Sequence, residues 1–184
     1  MITKVKFRPK LLKGPFSYYL NVHETSILAD LFESVKPKVV VEFGCNVGIT
    51  AKRLLDNVPS IERYVGIDIP SDHAPTLACQ ASEVPAHPGC YVTDPRFWLL
   101  IAEHELTHDD LEPADAVFID GDHSFDGVMH DSRLARELIR SPGIIVWHDW
   151  QNPGVEVTPA LDRLSEEGWP IVGIEGSWLA FTKT

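Results

Sequence analysis

A glycine-containing junction between a strand and a helix constrains the fold of this chain more than any other stretch. Val39–Val41 is apolar and β-branched, so Lys38–Glu42 is predicted to be a strand buried on both faces. Gly44 and Gly48 then bracket a three-residue turn, and apolar residues take up helical spacing from Ile49 onward. Such a junction places unpaired backbone N–H groups at the carboxyl end of a strand, where a small polar ligand is favoured.

The acid before the glycines distinguishes this turn from a nucleotide-binding turn. A dinucleotide fold requires Gly-x-Gly-x-x-Gly so that a pyrophosphate can lie against bare backbone, whereas the spacing here is Glu42-x-Gly44-x-x-x-Gly48. A carboxylate at the strand end repels a phosphate and attracts a cationic amino group. The competing interpretation is an ordinary glycine-bearing turn in another α/β protein.

This spacing resembles the first motif of the class I S-adenosylmethionine-dependent methyltransferases, whose ligand carries an ammonium and a sulfonium but no phosphate. The resemblance implies that S-adenosylmethionine is the cofactor and that the turn contacts it through Glu42, Gly44, Cys45, Asn46 and Gly48. It also implies an α/β, Rossmann-like methyltransferase fold. That fold has a mostly parallel seven-stranded sheet, helices on both faces and an antiparallel hairpin strand near the carboxyl terminus.

Charge separates the first residues from the rest of the chain. The 27 acidic and 16 basic residues give a formal net charge of −11, which disfavours general affinity for nucleic acid or a membrane surface. Residues 1–22 nevertheless contain only bases among their charged residues, namely Lys4, Lys6, Arg8, Lys10 and Lys13. We interpret residues 1–22 as an arm, which is a solvated tail, a homo-oligomer contact or a flap beside the substrate. Residues 23–184 are interpreted as a single methyltransferase domain.

The cysteines and the apolar runs indicate the cellular compartment in which the protein is expected to act. Cys45, Cys79 and Cys90 are an odd number without metal-ligand spacing, which favours a reducing compartment over a disulfide framework. The first residues carry scattered charges and no apolar core segment, so no signal peptide is predicted. No apolar run reaches transmembrane length. We therefore expect a soluble cytoplasmic protein.

Two further acids follow the glycine turn at predicted strand ends. Tyr64–Pro70 is predicted to be a short second strand, and its Asp68 lies about one βαβ unit beyond the turn, where a carboxylate accepts both hydroxyls of a ribose. Cys90–Thr93 is predicted to be the third strand. It ends at Asp94, which either approaches the adenine or starts a helix. Phe97–Leu106 is then predicted to be a buried helix.

The second half of the chain contains two more polar strand ends. Ala114–Ile119 is predicted to be a strand that leads into Asp120-Gly121-Asp122-His123, and Ile144–Trp147 to be the next strand, followed by His148-Asp149. The carboxyl ends of parallel strands share one rim of a sheet, so these side chains are expected to converge with Glu42 and Asp68. Two carboxylates and an imidazole suit a divalent cation.

The remaining elements agree with the same fold. Apolar periodicity predicts helices over Glu24–Val35 and Thr158–Glu167, with a further helix between the fourth and fifth strands. Pro170–Ile174 and Ser177–Thr182 are predicted to be strands joined at Glu175-Gly176. So tight a link joins antiparallel strands, which is how the methyltransferase fold differs from the nucleotide-binding Rossmann fold.

Residues 25–184 together resemble the metal-dependent O-methyltransferases that carry a strand-ending Ile-Asp-Gly-x-His motif. The resemblance implies that Asp120, His148 and Asp149 bind a divalent cation such as Mg²⁺ or Mn²⁺, that Asp120 also contacts the cofactor, and that His123 is the general base. The family usually has an acid where this chain has His148. That difference lowers the negative charge of the site, so it favours Mn²⁺, Fe²⁺ or Zn²⁺ over Mg²⁺, or else the metal is lost.

The predicted function is a metal-assisted transfer of a methyl group from S-adenosylmethionine to a hydroxyl of a small molecule, such as a sugar or a secondary metabolite. One alternative is an S-adenosylmethionine-binding domain without turnover, and another is a metal-dependent oxygenase or hydrolase. Tyr18, Tyr19 and His23 are interpreted as packing residues or acceptor contacts. Asp131 lies on the inward stripe of its helix, where it orients His123 or ties down a loop.

Overall fold

The computed structural model describes residues 2–10, 12 and 22–184. The strands are β1 (Thr3–Val5), β2 (Val39–Phe43), β3 (Arg63–Asp68), β4 (Phe97–Ile101), β5 (Ala114–Ile119), β6 (Ile139–Trp147), β7 (Val172–Ile174) and β8 (Ala180–Lys183). The α-helices are α1 (Val22–Val35), α2 (Ile49–Asn57), α3 (Phe125–Leu138) and α4 (Val157–Glu166). Short 3₁₀ helices cover Ala78–Ser82 and His108–Asp110.

The strands form one sheet in the order β1-β7-β8-β6-β5-β2-β3-β4. Every described pairing is parallel except those of β8, which runs antiparallel to both β6 and β7. The predicted Rossmann-like methyltransferase fold with an antiparallel carboxyl-terminal pair is therefore confirmed. The sheet has eight strands rather than seven, because β1 adds a parallel edge to β7.

Helices cover both faces of the sheet because its central strands are apolar on both sides. Val41 and Val117 face the layer of α3 and α4, whereas Val40 and Ala116 face the layer of α1 and α2. This alternation follows from the two-residue period of a strand. The two apolar layers hold the carboxyl ends of β2, β3, β5 and β6 in fixed register.

The region before β5 differs from the prediction. Phe97–Ile101 is a strand paired with β3, so the predicted buried helix over Phe97–Leu106 is wrong. Residues 90 and 91 lie in a turn and residues 92 and 93 have no regular structure, so the predicted third strand is wrong as well. β4 is an edge strand with one neighbour, which leaves Trp98 55% and Leu99 43% exposed. A short apolar run cannot be assigned to helix or strand by periodicity alone.

Part of the amino-terminal arm packs against the domain. Residues 3–5 form β1, and Ile2 is buried in the core. Further along, the Lys10 backbone N–H donates to Asp30 of α1 at 2.8 Å. Tyr18 and Tyr19 lie outside the described residues. Among the described helices, none combines the length and the apolar content needed to cross a bilayer.

The carboxyl ends of four neighbouring strands meet on one rim, as expected. Phe43 pairs in register with Ile67 and Ile119, and Ile119 pairs with Trp147. The polar residues that follow these four strands therefore begin at the same level of the sheet.

Candidate functional site

The glycine turn after β2 lies directly against the turn after β5. Gly44 has a φ of +80°, and a Cβ at this position would lie 2.1 Å from the backbone oxygen of Asp120. The backbone N–H groups of Gly44 and Cys45 both donate to the Ile67 carbonyl at 2.9 Å. A side chain larger than hydrogen would force these two turns apart. Close approach, as well as positive φ, therefore requires glycine here.

Asn46 joins the glycine turn to two other parts of the rim. Its backbone, with a φ of 48°, donates its N–H to Asp68 Oδ2 at 2.5 Å. Its side-chain Nδ2 donates to the Glu83 carbonyl at 2.6 Å. Gly48, with a φ of +88°, ends the turn and starts α2. Asp68 of β3 thus holds the turn on one side, and the loop after β3 holds it on the other.

Asp68 and Glu42 have different environments although both end strands. Asp68 lines the cleft, and its Oδ1 accepts the Ile69 N–H at 2.8 Å. Burial raises its pKa, and the backbone hydrogen bonds oppose that rise. Glu42 is 1% exposed, accepts the Tyr64 hydroxyl at 3.0 Å, and has a pKa that burial raises well above its usual range. Glu42 is not among the residues that line the cleft.

Asp94 lies away from the cleft, unlike the predicted adenine contact. It precedes β4 and therefore sits at the amino end of that strand. Its carboxylate accepts from the Arg96 guanidinium at 2.6 Å, which holds the pKa of Asp94 down at about 2. Arg96 also donates to the carbonyls of Ile61 and Leu55, at the end of β3 opposite Asp68. The pairing with Arg96 explains Asp94 without a ligand.

The cleft between these turns has a volume of about 740 Å³, within the usual range for sites that hold a small molecule. The glycine turn and Asp68 line one part of it. Asp120, His123, His148 and Asp149 line another. The predicted convergence of these strand ends on one site is therefore observed, with Glu42 and Asp94 outside it.

Two histidines and two aspartates form a buried cluster in the cleft. Asp120 Oδ1 lies 3.3 Å from His123 Nε2 and 3.1 Å from His148 Nδ1. Asp149 Oδ2 lies 3.4 Å from His123 Nδ1 and 3.4 Å from His148 Nδ1. On the far side of His148, Nε2 lies 3.7 Å from Glu24 Oε2. Each imidazole is thus bracketed by carboxylates.

The charges in this cluster shift the protonation of its members. Burial by itself would raise the pKa of Asp120, but the charges of His148 and His123 and the hydrogen bond with His148 Nδ1 lower it to about 2. Burial by itself would lower the pKa of His123, but Asp120 and Asp149 raise it. The same carboxylates, with Glu24, raise the pKa of His148 well above its usual range.

Three side chains of the cluster could each give one ligand atom to a divalent cation. One ligand atom each from Asp120, His123 and Asp149 lie within 4.8 Å of one another. His123 Nε2 is buried and has no hydrogen-bond partner. The predicted ligand His148 borders the same group, because its Nδ1 lies 3.1 Å from Asp120 Oδ1 and 3.4 Å from Asp149 Oδ2.

Comparison with known proteins assigns the family. A family model described as a methyltransferase domain matches residues 41–150, which is more than half of the chain. The chain belongs to this methyltransferase family. It is an S-adenosylmethionine-dependent methyltransferase, in agreement with the cleft at the carboxyl ends of its strands. No curated protein matches the methyltransferase in sequence.

Solved structures with the same fold include methyltransferases with bound ligands. PaMTH1 of Podospora anserina, bound to SAH, has a TM-score of 0.63 and 18% identity, covering 89% of this chain and 78% of the other. The O-methyltransferase TomG of Streptomyces achromogenes, in complex with SAM, has a TM-score of 0.58 and 17% identity over 89% and 81%. CalS11, a TDP-rhamnose 3'-O-methyltransferase, has a TM-score of 0.60 and 15% identity over 89% and 81%.

Several residues of the methyltransferase's cleft were not predicted from the sequence. Gln80 is buried and hydrogen-bonds the turn that carries His123. Trp178 lines the cleft with its ring centroid 6.3 Å from that of His148. Glu24 of α1, which does not itself line the cleft, accepts the backbone N–H of Trp178 at 2.7 Å. These residues lie in segments without a motif, so no sequence signal indicated them. Asp131, which was singled out, lines the cleft as well.

Proposed function

We propose that the methyltransferase transfers the methyl group of S-adenosylmethionine to a hydroxyl oxygen of a small molecule, with His123 as the proton acceptor. The observation that carries this proposal is the position of His123, which lines the cleft shared with the glycine turn and whose Nε2 is buried 3.3 Å from Asp120 Oδ1. A neutral imidazole nitrogen can accept a proton from a hydroxyl placed beside it.

The glycine turn and Asp68 supply the groups that would hold the donor. The two Asp68 oxygens each accept one backbone N–H and each retain a further lone pair for a ribose hydroxyl. Gly44, Cys45 and Asn46 of the turn line the cleft, and Gly48 ends the turn behind them. Glu42, whose pKa is raised by burial, accepts the Tyr64 hydroxyl and is not among the residues that line the cleft, so we do not place it among the donor contacts.

The reaction needs an oxygen nucleophile, which an alcohol does not supply at neutral pH. In the proposed step the acceptor hydroxyl gives its proton to His123 Nε2, the O–CH₃ bond forms, and the S–CH₃ bond breaks with its electron pair returning to sulfur. Asp120, 3.3 Å from this nitrogen, stabilises the imidazolium that results. Holding the oxygen in line with the methyl group supplies the rest of the rate enhancement.

A divalent cation would be held by Asp120, Asp149 and His123. When bound, it would supply Lewis-acid stabilisation of the oxygen anion. His123 would then be a ligand, so removal of the metal distinguishes the two roles. If a cation takes part, a chelator abolishes methyl transfer and Mn²⁺ or Mg²⁺ restores it. If His123 acts as the base alone, activity is unchanged by the chelator.

The acceptor end of the cleft is the part beside Trp178. This indole is 42% exposed next to His148, so a flat or ring-shaped acceptor has an aromatic face to pack on. The similar folds of TomG and CalS11, whose names specify O-methyl transfer, support a small hydroxylated acceptor of the sugar or secondary-metabolite type.

The test is methyl transfer from labelled S-adenosylmethionine to a panel of sugars, phenols and other hydroxylated metabolites. His123→Gln should lower turnover about 10²–10⁴-fold, the usual contribution of a general base, while the dissociation constant of S-adenosylhomocysteine changes little. The matched control is His87→Gln, because His87 is exposed and is not among the residues that line the cleft. Full activity of His123→Gln, or methylation of amines but of no hydroxyl, would overturn the proposal.

A further inference from the structure

The connection between β3 and β4 covers the cleft without forming an α-helix. Residues 70–96, which we call the closing segment, contain one 3₁₀ helix, Ala78–Ser82, and are otherwise irregular. Irregular loops of this length are uncommon within compact domains and are usually functional. Pro75, Thr76 and Glu83 of the segment line the cleft together with the glycine turn. A donor in the cleft would therefore lie beneath the closing segment.

Hydrogen bonds attach the closing segment to the glycine turn. The Glu83 carbonyl accepts from Asn46 Nδ2 at 2.6 Å, and the Gly89 N–H donates to the Asn46 carbonyl at 2.7 Å. The Tyr91 N–H donates to the Val47 carbonyl at 2.9 Å. These hydrogen bonds therefore hold the closing segment to the same turn that we propose binds the methyl donor.

Other hydrogen bonds attach the same segment to the turn that carries His123. Gln80 Nε2 donates to the Gly121 carbonyl at 2.9 Å, and Gln80 Oε1 accepts the His123 N–H at 3.0 Å. Between these two residues, Asp122 Oδ2 accepts the Thr76 hydroxyl at 2.7 Å. The closing segment thus holds three consecutive residues, Gly121, Asp122 and His123. We call these residues the catalytic turn.

Gln80 is the buried member of this attachment. It is 7% exposed, and only one orientation of its amide satisfies both a carbonyl and an N–H group. Loss of the side chain would leave two backbone groups beside His123 without partners, and unpaired buried polar groups are costly. The orientation of the His123 backbone therefore depends on the position of the closing segment.

We propose that the closing segment shuts over the methyl donor and that Gln80 is the positioning residue through which closure orients His123. This inference rests on the role of His123 in the proposed function. Because both attachments belong to one segment, opening for donor exchange would release the His123 turn. Closure over a bound donor would restore the turn before the acceptor reacts.

Hydrogen exchange of the His123 amide tests the coupling without an acceptor, since that N–H is the group donated to Gln80. In wild-type protein, S-adenosylhomocysteine should slow exchange at His123 by about tenfold or more. In Gln80→Met, which keeps the volume but lacks the amide, the ligand should leave that exchange almost unchanged. Ser82→Ala is the matched control, because Ser82 is an exposed residue of the same 3₁₀ helix.

The kinetic readout separates positioning from donor binding. Gln80→Met should lower kcat by about 10–100-fold while the KM for S-adenosylmethionine changes by less than about threefold, since misplacement of a catalytic group by 1 Å costs about 100-fold. Thr76→Val, at an exposed position, should give a smaller loss in the same direction and provides a second variant if Gln80→Met does not fold.

The outcomes distinguish this inference from the proposed function. Ligand-dependent protection of His123 that is lost in Gln80→Met, with no hydroxyl methylated by any variant, supports the coupling and refutes O-methyl transfer. The coupling is overturned if Gln80→Met methylates a hydroxyl with full kcat. It is also overturned if the His123 amide of wild-type protein exchanges equally fast with and without S-adenosylhomocysteine.

Discussion

Replacing Gly44 with alanine should separate the glycine turn from the catalytic turn. The alanine Cβ would lie 2.1 Å from the backbone oxygen of Asp120, whereas ordinary contact begins near 3.4 Å. The two backbones must therefore move apart by about 1 Å, a misplacement that costs about 100-fold in rate. In addition, a φ of +80° costs alanine about 1–2 kcal/mol relative to glycine.

The chain contains a control that isolates these two effects. Gly176 has a φ of +77°, and a Cβ there would meet nothing within 4 Å. Gly176→Ala should therefore lose only the conformational energy, about 1–2 kcal/mol of unfolding free energy, and keep its affinity for S-adenosylhomocysteine. Gly44→Ala should lose more stability than this and at least about tenfold in that affinity, since donor contacts depend on the turn.

Chemical denaturation and calorimetric titration of both variants measure the two quantities. The reasoning is refuted if Gly44→Ala matches Gly176→Ala in unfolding free energy and binds S-adenosylhomocysteine as tightly as wild type. That result would mean that the two turns separate at no cost and that their contact does not shape the donor site.

Two further predictions concern buried groups. Ser132 Oγ accepts the Trp147 indole N–H at 2.9 Å, so Ser132→Ala should cost about 1–3 kcal/mol of unfolding free energy by denaturation; an unchanged value would contradict the importance of this bond. Burial raises the pKa of Asp131 to about 8, so between about pH 4 and pH 8 the unfolded chain releases a proton that the folded chain keeps, and stability falls. Asp131→Asn, but not the exposed Asp126→Asn, should therefore raise Tm at pH 8, by about 2–4 °C for each kcal/mol of stability regained, and leave it unchanged at pH 4. An equal Tm difference at both pH values would contradict a raised pKa.

The sequence was sufficient to predict the elements whose pattern is unambiguous. Val39–Val41 and Ala114–Ile119 are apolar runs with clear turn signals after them, and both are strands at the centre of the sheet. The link predicted at Glu175-Gly176 was short enough to require an antiparallel pair; β7 and β8 do pair antiparallel, although the link spans residues 175–179. These predictions depend on local chemistry and on chain length alone.

Elements that depend on long-range pairing were predicted less well. Phe97–Ile101 contains five consecutive apolar residues, a pattern that suits a buried helix as well as a strand, and its pairing with β3 decides between them. β1 lies among basic residues and has only three positions, so no periodicity indicates it. Its pairing with β7 involves residues far along the chain, and such contacts have no local signal.

The identity of the site residues was predicted better than their roles. Asp120, His123, His148 and Asp149 do converge, because all follow neighbouring parallel strands. Both imidazoles lie 3.4 Å from Asp149 Oδ2, so the residue pattern does not decide which of them acts on a ligand, and Asp149 has a φ of 58° that no residue pattern specifies. For the same reason Glu42 was placed in the cleft, although the alternation of β2 directs it toward Tyr64.

The most direct test of the account is a crystal structure of the protein with S-adenosylhomocysteine bound. The account predicts that the ribose hydroxyls lie within hydrogen-bond distance of Asp68 and that the sulfur points toward the space beside His123 Nε2. A ligand bound outside this cleft, or one whose sulfur is directed away from His123, would contradict it.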